Sequence, residues 1–176
     1  MTATTATPAG ATVGRLPPVA RLNLRLRPGG EAAASKALGV PLPGRIGEGA
    51  ASGPRAAWKL GPDEWLLHAP EAEETAITAA FAAIRGEVAH SLTVISDREV
   101  TLSVTGAGAA ELLSTGCPID LSRLAPGQAK RTLFDSVQVV LIRDSEDAFR
   151  LEVWRSFAPH VEDLLQLAAR ELASGF

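Results

Sequence analysis

Residues 98–134 read REVTLSVTGAGAAELLSTGCPIDLSRLAPGQAKRTLF, and the interpretation of this stretch decides the fold. Its opening alternates: Val100, Leu102 and Val104 point to one side, and Glu99, Thr101 and Ser103 to the other. That is the period of a half-buried strand. Gly106-Ala107-Gly108 then turns the chain into a small-residue helix running to Leu113. Gly116-Cys117-Pro118 breaks that helix, and Pro126-Gly127 launches another strand. The glycine turn is either a phosphate cradle or a tight strand-to-helix connection.

The phosphate reading rests on Gly106-Ala-Gly108-Ala-Ala-Glu111, which is close to the G-x-G-x-x-G dinucleotide fingerprint and lies between a strand and a helix. In that motif the third glycine allows close helix–strand packing, and an acid after the next strand holds the ribose. Here Glu111 takes the third position, and the chain from Gly116 to Pro126 is irregular, with Pro118 and Pro126 in it. Asp135 lies near the expected distance but ends what reads as an antiparallel strand. A tight turn, with alanines packing closely behind it, is the better account.

The first half of the chain supports that account. NLRLRPGGEAAASKALG, starting at Asn23, repeats the order of strand, glycine turn and Ala-rich helix, with Leu24 against Leu102 and Leu26 against Val104. In Val19–Arg27, Leu22, Leu24 and Leu26 form one face and Arg21, Asn23, Arg25 and Arg27 the other, which reads as a solvated basic face rather than an anion site. A short helix follows and stops at Gly39; Pro41–Pro54 reads as loop. Arg55–Leu60 and Glu64–His68 form a hairpin around Gly61-Pro62-Asp63, carrying Trp58 and Trp65. Pro70 and three glutamates open a helix with Ile77, Phe81 and Ile84 as its apolar stripe. Val88–Ser96 is the next strand. Ala129–Asp135, Val137–Arg143 and Phe149–Trp154 are three further strands, and a long amphipathic helix ends the chain.

The pattern is a duplicated strand–helix–hairpin–helix unit: an α+β fold of two ferredoxin-like halves with mixed or antiparallel sheets. Residues 1–17 read as an unstructured Thr/Ala/Pro/Gly tail, and residues 18–176 as a single domain of two pseudo-repeats, about 18–96 and 97–176.

A formal net charge of -3 gives no electrostatic case for nucleic acid. No apolar run approaches the roughly 18–20 residues that span a bilayer. One cysteine excludes an intrachain disulfide and suits a reducing, cytoplasmic setting. Cys117 at a helix end reads as structural, and Asp97-Arg98-Glu99 as a turn with surface pairs. His68, His90 and His160 are expected at the surface or at strand edges, and Ser114, Ser122 and Ser156 lack a nucleophile context. The residues therefore assign no catalytic, cofactor-binding or metal site.

LGPDEWLL (Leu60–Leu67), DREVTLSVTGAGAAELLSTGCPIDLS (Asp97–Ser122), PGQAKRTLF (Pro126–Phe134) and FRLEVWRSFAPHVEDLL (Phe149–Leu165) together resemble the gamma subunit of heterotetrameric sarcosine oxidase. The likeness covers most of Val19–Leu172 in order, and its most specific pieces are Gly116–Leu121 and Arg155–Ala158. The resemblance implies a fold similar to the folate-binding glycine-cleavage T-protein. It also implies a bacterial complex that demethylates sarcosine oxidatively to glycine, makes hydrogen peroxide and passes a one-carbon unit to tetrahydrofolate. It places FAD, FMN, NAD, zinc and tetrahydrofolate on other subunits, with alpha, beta and delta chains as partners and self-association possible in isolation. The T-protein family carries an aspartate in an Asp-hydrophobic-Ser segment; the matching segment here is Val94-Ile95-Ser96, whose valine can hold no folate nitrogen. The expectation is a non-catalytic subunit, with a folate- or small-molecule-binding one-carbon transfer protein as the alternative. Trp58, Trp65 or Trp154 would furnish a contact surface.

Overall fold

The structure, a computed structural model, describes residues 10–174. Its elements run β1 (Thr12–Arg15), β2 (Ala20–Leu26), α1 (Glu31–Leu38), β3 (Gly49–Ser52), β4 (Arg55–Gly61), β5 (Glu64–Ala69), α2 (Glu74–Ala83) and β6 (His90–Val94). There follow β7 (Glu99–Thr105), α3 (Ala109–Ser114), β8 (Ala129–Phe134), β9 (Val137–Ser145), β10 (Ala148–Trp154) and α4 (Ala158–Ser174). The strands form two five-stranded sheets, ordered β3-β4-β5-β2-β6 and β8-β9-β10-β7-β1, and every strand pair is antiparallel.

The two orders match position by position: β2 corresponds to β7, β5 to β10, β4 to β9 and β3 to β8. The duplicated α+β reading therefore holds, with the sheets antiparallel throughout. One position is filled differently. Beside β2 stands β6, which follows α2; beside β7 stands β1, which precedes the whole first unit. The N-terminal segment thus crosses over to complete the second sheet.

Alternation explains the layering. On β2, Leu22, Leu24 and Leu26 face α1 and α2 and pack with Leu38, Ile77 and Phe81. On β7 and β10, Leu102, Val104, Phe149, Leu151 and Val153 face α3 and α4 and pack with Leu112, Leu113, Val161 and Leu165. The inner faces of the sheets meet through a smaller cluster of Trp58, Leu66, Ile95, Ala129, Val140 and Ile142. The order is helix, sheet, sheet, helix.

Several expectations need correction. Thr12–Arg15, read as part of a tail, is strand β1, with Val13 opposite Val104. It has no apolar alternation of its own and is recruited because the edge of β7 otherwise presents unpaired amides. Residues 1–9 of the expected tail lie outside the described residues. The Pro41–Pro54 loop contains β3, which pairs with β4 although Gly-Ala-Ala-Ser carries little strand propensity. Gly49 lets it form: a Cβ there would lie 2.2 Å from the carbonyl oxygen of Gly127 and 2.5 Å from the Trp58 ring. The expected strand Val88–Ser96 is narrower: β6 ends at Val94, after which the Ile95 amide still donates to the Arg21 carbonyl oxygen while its side chain joins the cluster between the sheets, and the Ser96 hydroxyl bonds Arg21 and Glu74.

Gly106 has φ 112°, and a Cβ on it would lie 2.5 Å from the carbonyl oxygen of Gly10, in the segment leading into β1. Gly29 has φ 95° with open space around it. Gly29→Ala should therefore lose only the backbone term, about 1–2 kcal/mol. Gly106→Ala should lose that and at least about 1 kcal/mol more. Urea unfolding of both variants checks this; equal losses would contradict the close approach of β1 to the turn.

Candidate functional site

The same alternation that sends leucines outward sends polar side chains into the space between the sheets. Arg21 and Asn23 enter it from β2, Glu64 and His68 from β5, Glu99 and Thr101 from β7, and Glu152 from β10. Arg21 is 1% exposed. The face of β2 expected to be solvated is therefore covered, because the second sheet lies over it.

Arg21 and Glu152 are the centre of this seam. The Arg21 Nε donates to Glu152 Oε2 at 2.6 Å, and its other nitrogens donate to the Thr101 hydroxyl and, at 3.2 Å, to the carbonyl oxygen of Val19. Thr101 in turn donates to Glu152 Oε1 at 2.9 Å. A charge removed from water needs this degree of hydrogen bonding, or the desolvation cost dominates. His68 completes the group, 3.9 Å from Glu152 and edge-on to Trp58 at 5.1 Å between ring centres. Its Nε2 has no hydrogen-bond partner among the described residues. Burial pushes its pKa from 6.5 down to about 4, although the Glu152 carboxylate pulls the other way. His68 is thus a neutral interior residue rather than the expected surface or edge one.

A second ion cluster lies nearer the rim. Arg131 of β8 forks onto Glu64 at 2.7 and 3.0 Å, while Asn23 and Arg25 donate to the same carboxylate at 2.7 and 3.2 Å. Led by the Arg131 hydrogen bonds, these donors hold the Glu64 carboxyl below its ordinary pKa against the opposing effect of burial. Both clusters cross from one sheet to the other. Beside them is a cavity of about 190 Å³ lined by residues of both sheets, including Asn23, Glu64, Glu99, Arg131, Glu152 and Trp154. Glu99, expected on a turn, opens β7 and is 6% exposed.

The glycine turn is not laid out to cradle a dinucleotide. At the Gly106 turn, the Gly108 amide donates to the carbonyl oxygen of Gly10 and the Ala109 amide to that of Gly106. With the Gly106 amide donating to the Asp147 carbonyl oxygen, three amides of the turn are engaged within the chain. Glu111 points to solvent, and Asp135 sits in the β8–β9 turn at φ 53° with the Ser136 hydroxyl donating to it. Val94 is 44% exposed, and Ser96 is engaged by the Arg21 amide and by Glu74. Cys117 is buried, which pushes its thiol up to about 11. Among the described residues no group of three or more His, Cys, Asp or Glu is placed to hold a metal ion, and no helix is long and apolar enough to cross a membrane.

Sequence reasoning missed the seam because its partners lie far apart in the chain: Arg21 and Glu152 are separated by 131 positions, Glu64 and Arg131 by 67. The one local signal was the strict alternation of β2, which marks an inner face without saying what covers it.

Two duplicated α+β units with antiparallel sheets packed face to face define an architecture shared with solved structures. Aminomethyltransferase T of the glycine cleavage system from Bartonella henselae superposes with a TM-score of 0.68 at 16% identity, over 93% of this chain and 50% of that one. At that identity the likeness shows the fold alone. A chain of heterotetrameric sarcosine oxidase from Corynebacterium sp. U-96, solved with pyrrole 2-carboxylate, superposes with a TM-score of 0.83 at 31% identity, covering 93% of this chain and 85% of that one. The sarcosine oxidase subunit gamma of Arthrobacter sp. is 36% identical over 160 residues, 88% of this chain and 77% of that protein. The model of the sarcosine oxidase gamma subunit family matches residues 26–171. The chain belongs to the sarcosine oxidase gamma subunit family.

The state of His68 sets a pH dependence. Its folded pKa, about 4, lies below its unfolded value of 6.5, so the unfolded chain binds the extra proton between these limits. Stability from this group is full above the unfolded value and falls as pH drops through the window, by up to about 3 kcal/mol. Urea unfolding across this range should show a shallower pH dependence in His68→Leu than in the wild type. Parallel pH profiles would contradict the buried neutral state.

Proposed function

We propose that this chain is the gamma subunit of a heterotetrameric sarcosine oxidase and serves it as a folded support rather than as a site of chemistry. The observation carrying this reading is the ordered likeness to a chain of that enzyme over 93% of the length, at a TM-score of 0.83. In this reading the assembly demethylates sarcosine oxidatively to glycine and delivers the one-carbon unit to tetrahydrofolate. The alpha, beta and delta chains are the partners, and they carry FAD, FMN, NAD, zinc and the folate site. The complex works in the cytoplasm. No residue of this chain is assigned a catalytic, cofactor-binding or metal-binding role. Within the chain, residues 18–96 and 97–176 act as two pseudo-repeats of one domain, to which β1 is added.

The three tryptophans divide clearly as contact candidates. Trp58 and Trp65 are 5% and 1% exposed and belong to the interior. Trp154 is 43% exposed and lies beside Phe157, 47% exposed, with ring centres 6.4 Å apart. The Arg98 guanidinium sits over the Trp154 ring at 5.3 Å. Aromatic and arginine side chains are enriched at the cores of protein interfaces, and this exposed pair supports a docking role for the β10–α4 corner. In isolation the same corner would drive self-association.

The test is affinity recovery of the tagged full-length chain from cells co-expressing its neighbouring oxidase chains. Larger flavin-bearing chains should come down with the wild type. Trp154→Ala should weaken assembly about thirtyfold or more, the loss of a central anchor, while leaving the unfolding midpoint nearly unchanged. Recovery of the wild-type chain alone would overturn the reading.

A further inference from the structure

The first unit ends in an open sheet edge. β6 stands last in its sheet and pairs with β2 alone. The Arg27 amide donates to the Ala89 carbonyl oxygen and the Ile95 amide to that of Arg21, so the odd-numbered residues of this segment turn their backbone groups toward β2. By alternation the amides and carbonyls of His90, Leu92 and Val94 point away from the sheet. They have no partner among the described residues. Exposed edges are ordinarily kept short or marked with a charge or a proline. Here β1 and β3 have four residues each, and β8 carries Lys130 and Arg131, with its Ala129 amide taken by the Gly47 carbonyl oxygen. β6 reads His-Ser-Leu-Thr-Val, without lysine, arginine, carboxylate or proline, and Val94 is 44% exposed. The helix over this edge is α2, with Phe81 edge-on to His90 at 5.6 Å between ring centres and Glu74 accepting from the Ser96 hydroxyl. Between Glu74 and Arg85 it holds no charged residue, and its exposed positions are all Thr or Ala, so nothing bulky or charged guards the edge.

We propose that β6 is a pairing site for the β6 strand of a second copy of this chain, which joins two five-stranded sheets into one across a two-fold axis. In such a closed pair the same residues face each other from both copies, and the two strands run antiparallel. Centred on Leu92, the pairing lets Leu92 exchange both backbone bonds with its own copy and His90 exchange them with Val94. Every outward donor of the strand then meets an acceptor. The same axis sets the two α2 helices in opposite senses, and their ends are complementary in charge, with Glu71 and Glu74 at the start and Arg85 after the end. This surface is apart from the Trp154 corner, and the inference does not depend on the assembly reading.

The test is sedimentation equilibrium of the full-length chain, combined with amide hydrogen exchange read by NMR at high and low protein concentration. The expected result is a monomer–dimer equilibrium in which the amides of His90, Leu92 and Val94 are protected in the dimer and unprotected in the monomer. Val94→Lys places an ammonium at the junction and should weaken the dimer at least about tenfold. Val94→Pro removes an outward N–H but no bond to β2, and should weaken it likewise, so the edge is tested by two variants and by the exchange of the wild type. Trp154→Ala should leave both the dimer and the protection unchanged. A monomer at every concentration, a dimer without new protection at these three amides, or a dimer that Trp154→Ala dissolves and Val94→Lys does not, would overturn the proposal.

Discussion

The architecture depends on one buried interaction, the ion pair of Arg21 with Glu152. One partner comes from the first unit and the other from the second, and their side chains are 1% and 0% exposed. The apolar cluster between the sheets is the smallest of the three clusters of buried residues, so hydrophobic contact alone specifies little about how the sheets meet. A buried pair is orientation-dependent, because a displaced arginine leaves a carboxylate uncompensated in a medium that solvates it poorly. Thr101 and the Val19 carbonyl hold the pair in one geometry, and the Glu64–Arg131 fork repeats the device nearer the rim. Together they fix the register of one sheet over the other.

The fold was legible where local pattern determines structure. The leucines of β2, the Ala-rich stretch ending at Gly39, and the echo of Leu24 and Leu26 in Leu102 and Val104 all lie where their periods place them. Gly39 adopts φ 77° as the helix cap, the left-handed conformation expected of a terminating glycine. What was not legible depends on segments distant in sequence. β1 and β3 are four residues each, without an apolar alternation, and pair with the edges that β7 and β4 offer. Arg21, His68 and Glu99 carry no local mark of burial, since a charged residue on an alternating strand looks the same facing water or a second sheet. The dinucleotide-like turn shows the converse. Gly106 is needed there, but for the passage of Gly10 over it rather than for a phosphate.

These features bear on function together. A chain of the sarcosine oxidase gamma family has the fold of the aminomethyltransferase it superposes with, while its glycine turn is engaged by its own backbone. The polar groups that remain are turned inward and tie the two units into one body. The surface offers an aromatic corner at Trp154 and Phe157 instead. Ion pairs that tie the two units together and an exposed aromatic pair are what the proposed supporting role uses.

The Arg21–Glu152 pair joins the two sheets, and a double-mutant cycle measures its strength. Arg21→Met and Glu152→Leu are each expected to lower the unfolding free energy by about 3–5 kcal/mol, since each leaves the other charge buried alone. The double variant should lose far less than the sum and lie near the wild type, because two apolar side chains replace two charges. Losses that simply add, within about 0.5 kcal/mol, would show that the pair is not what locks the sheets together.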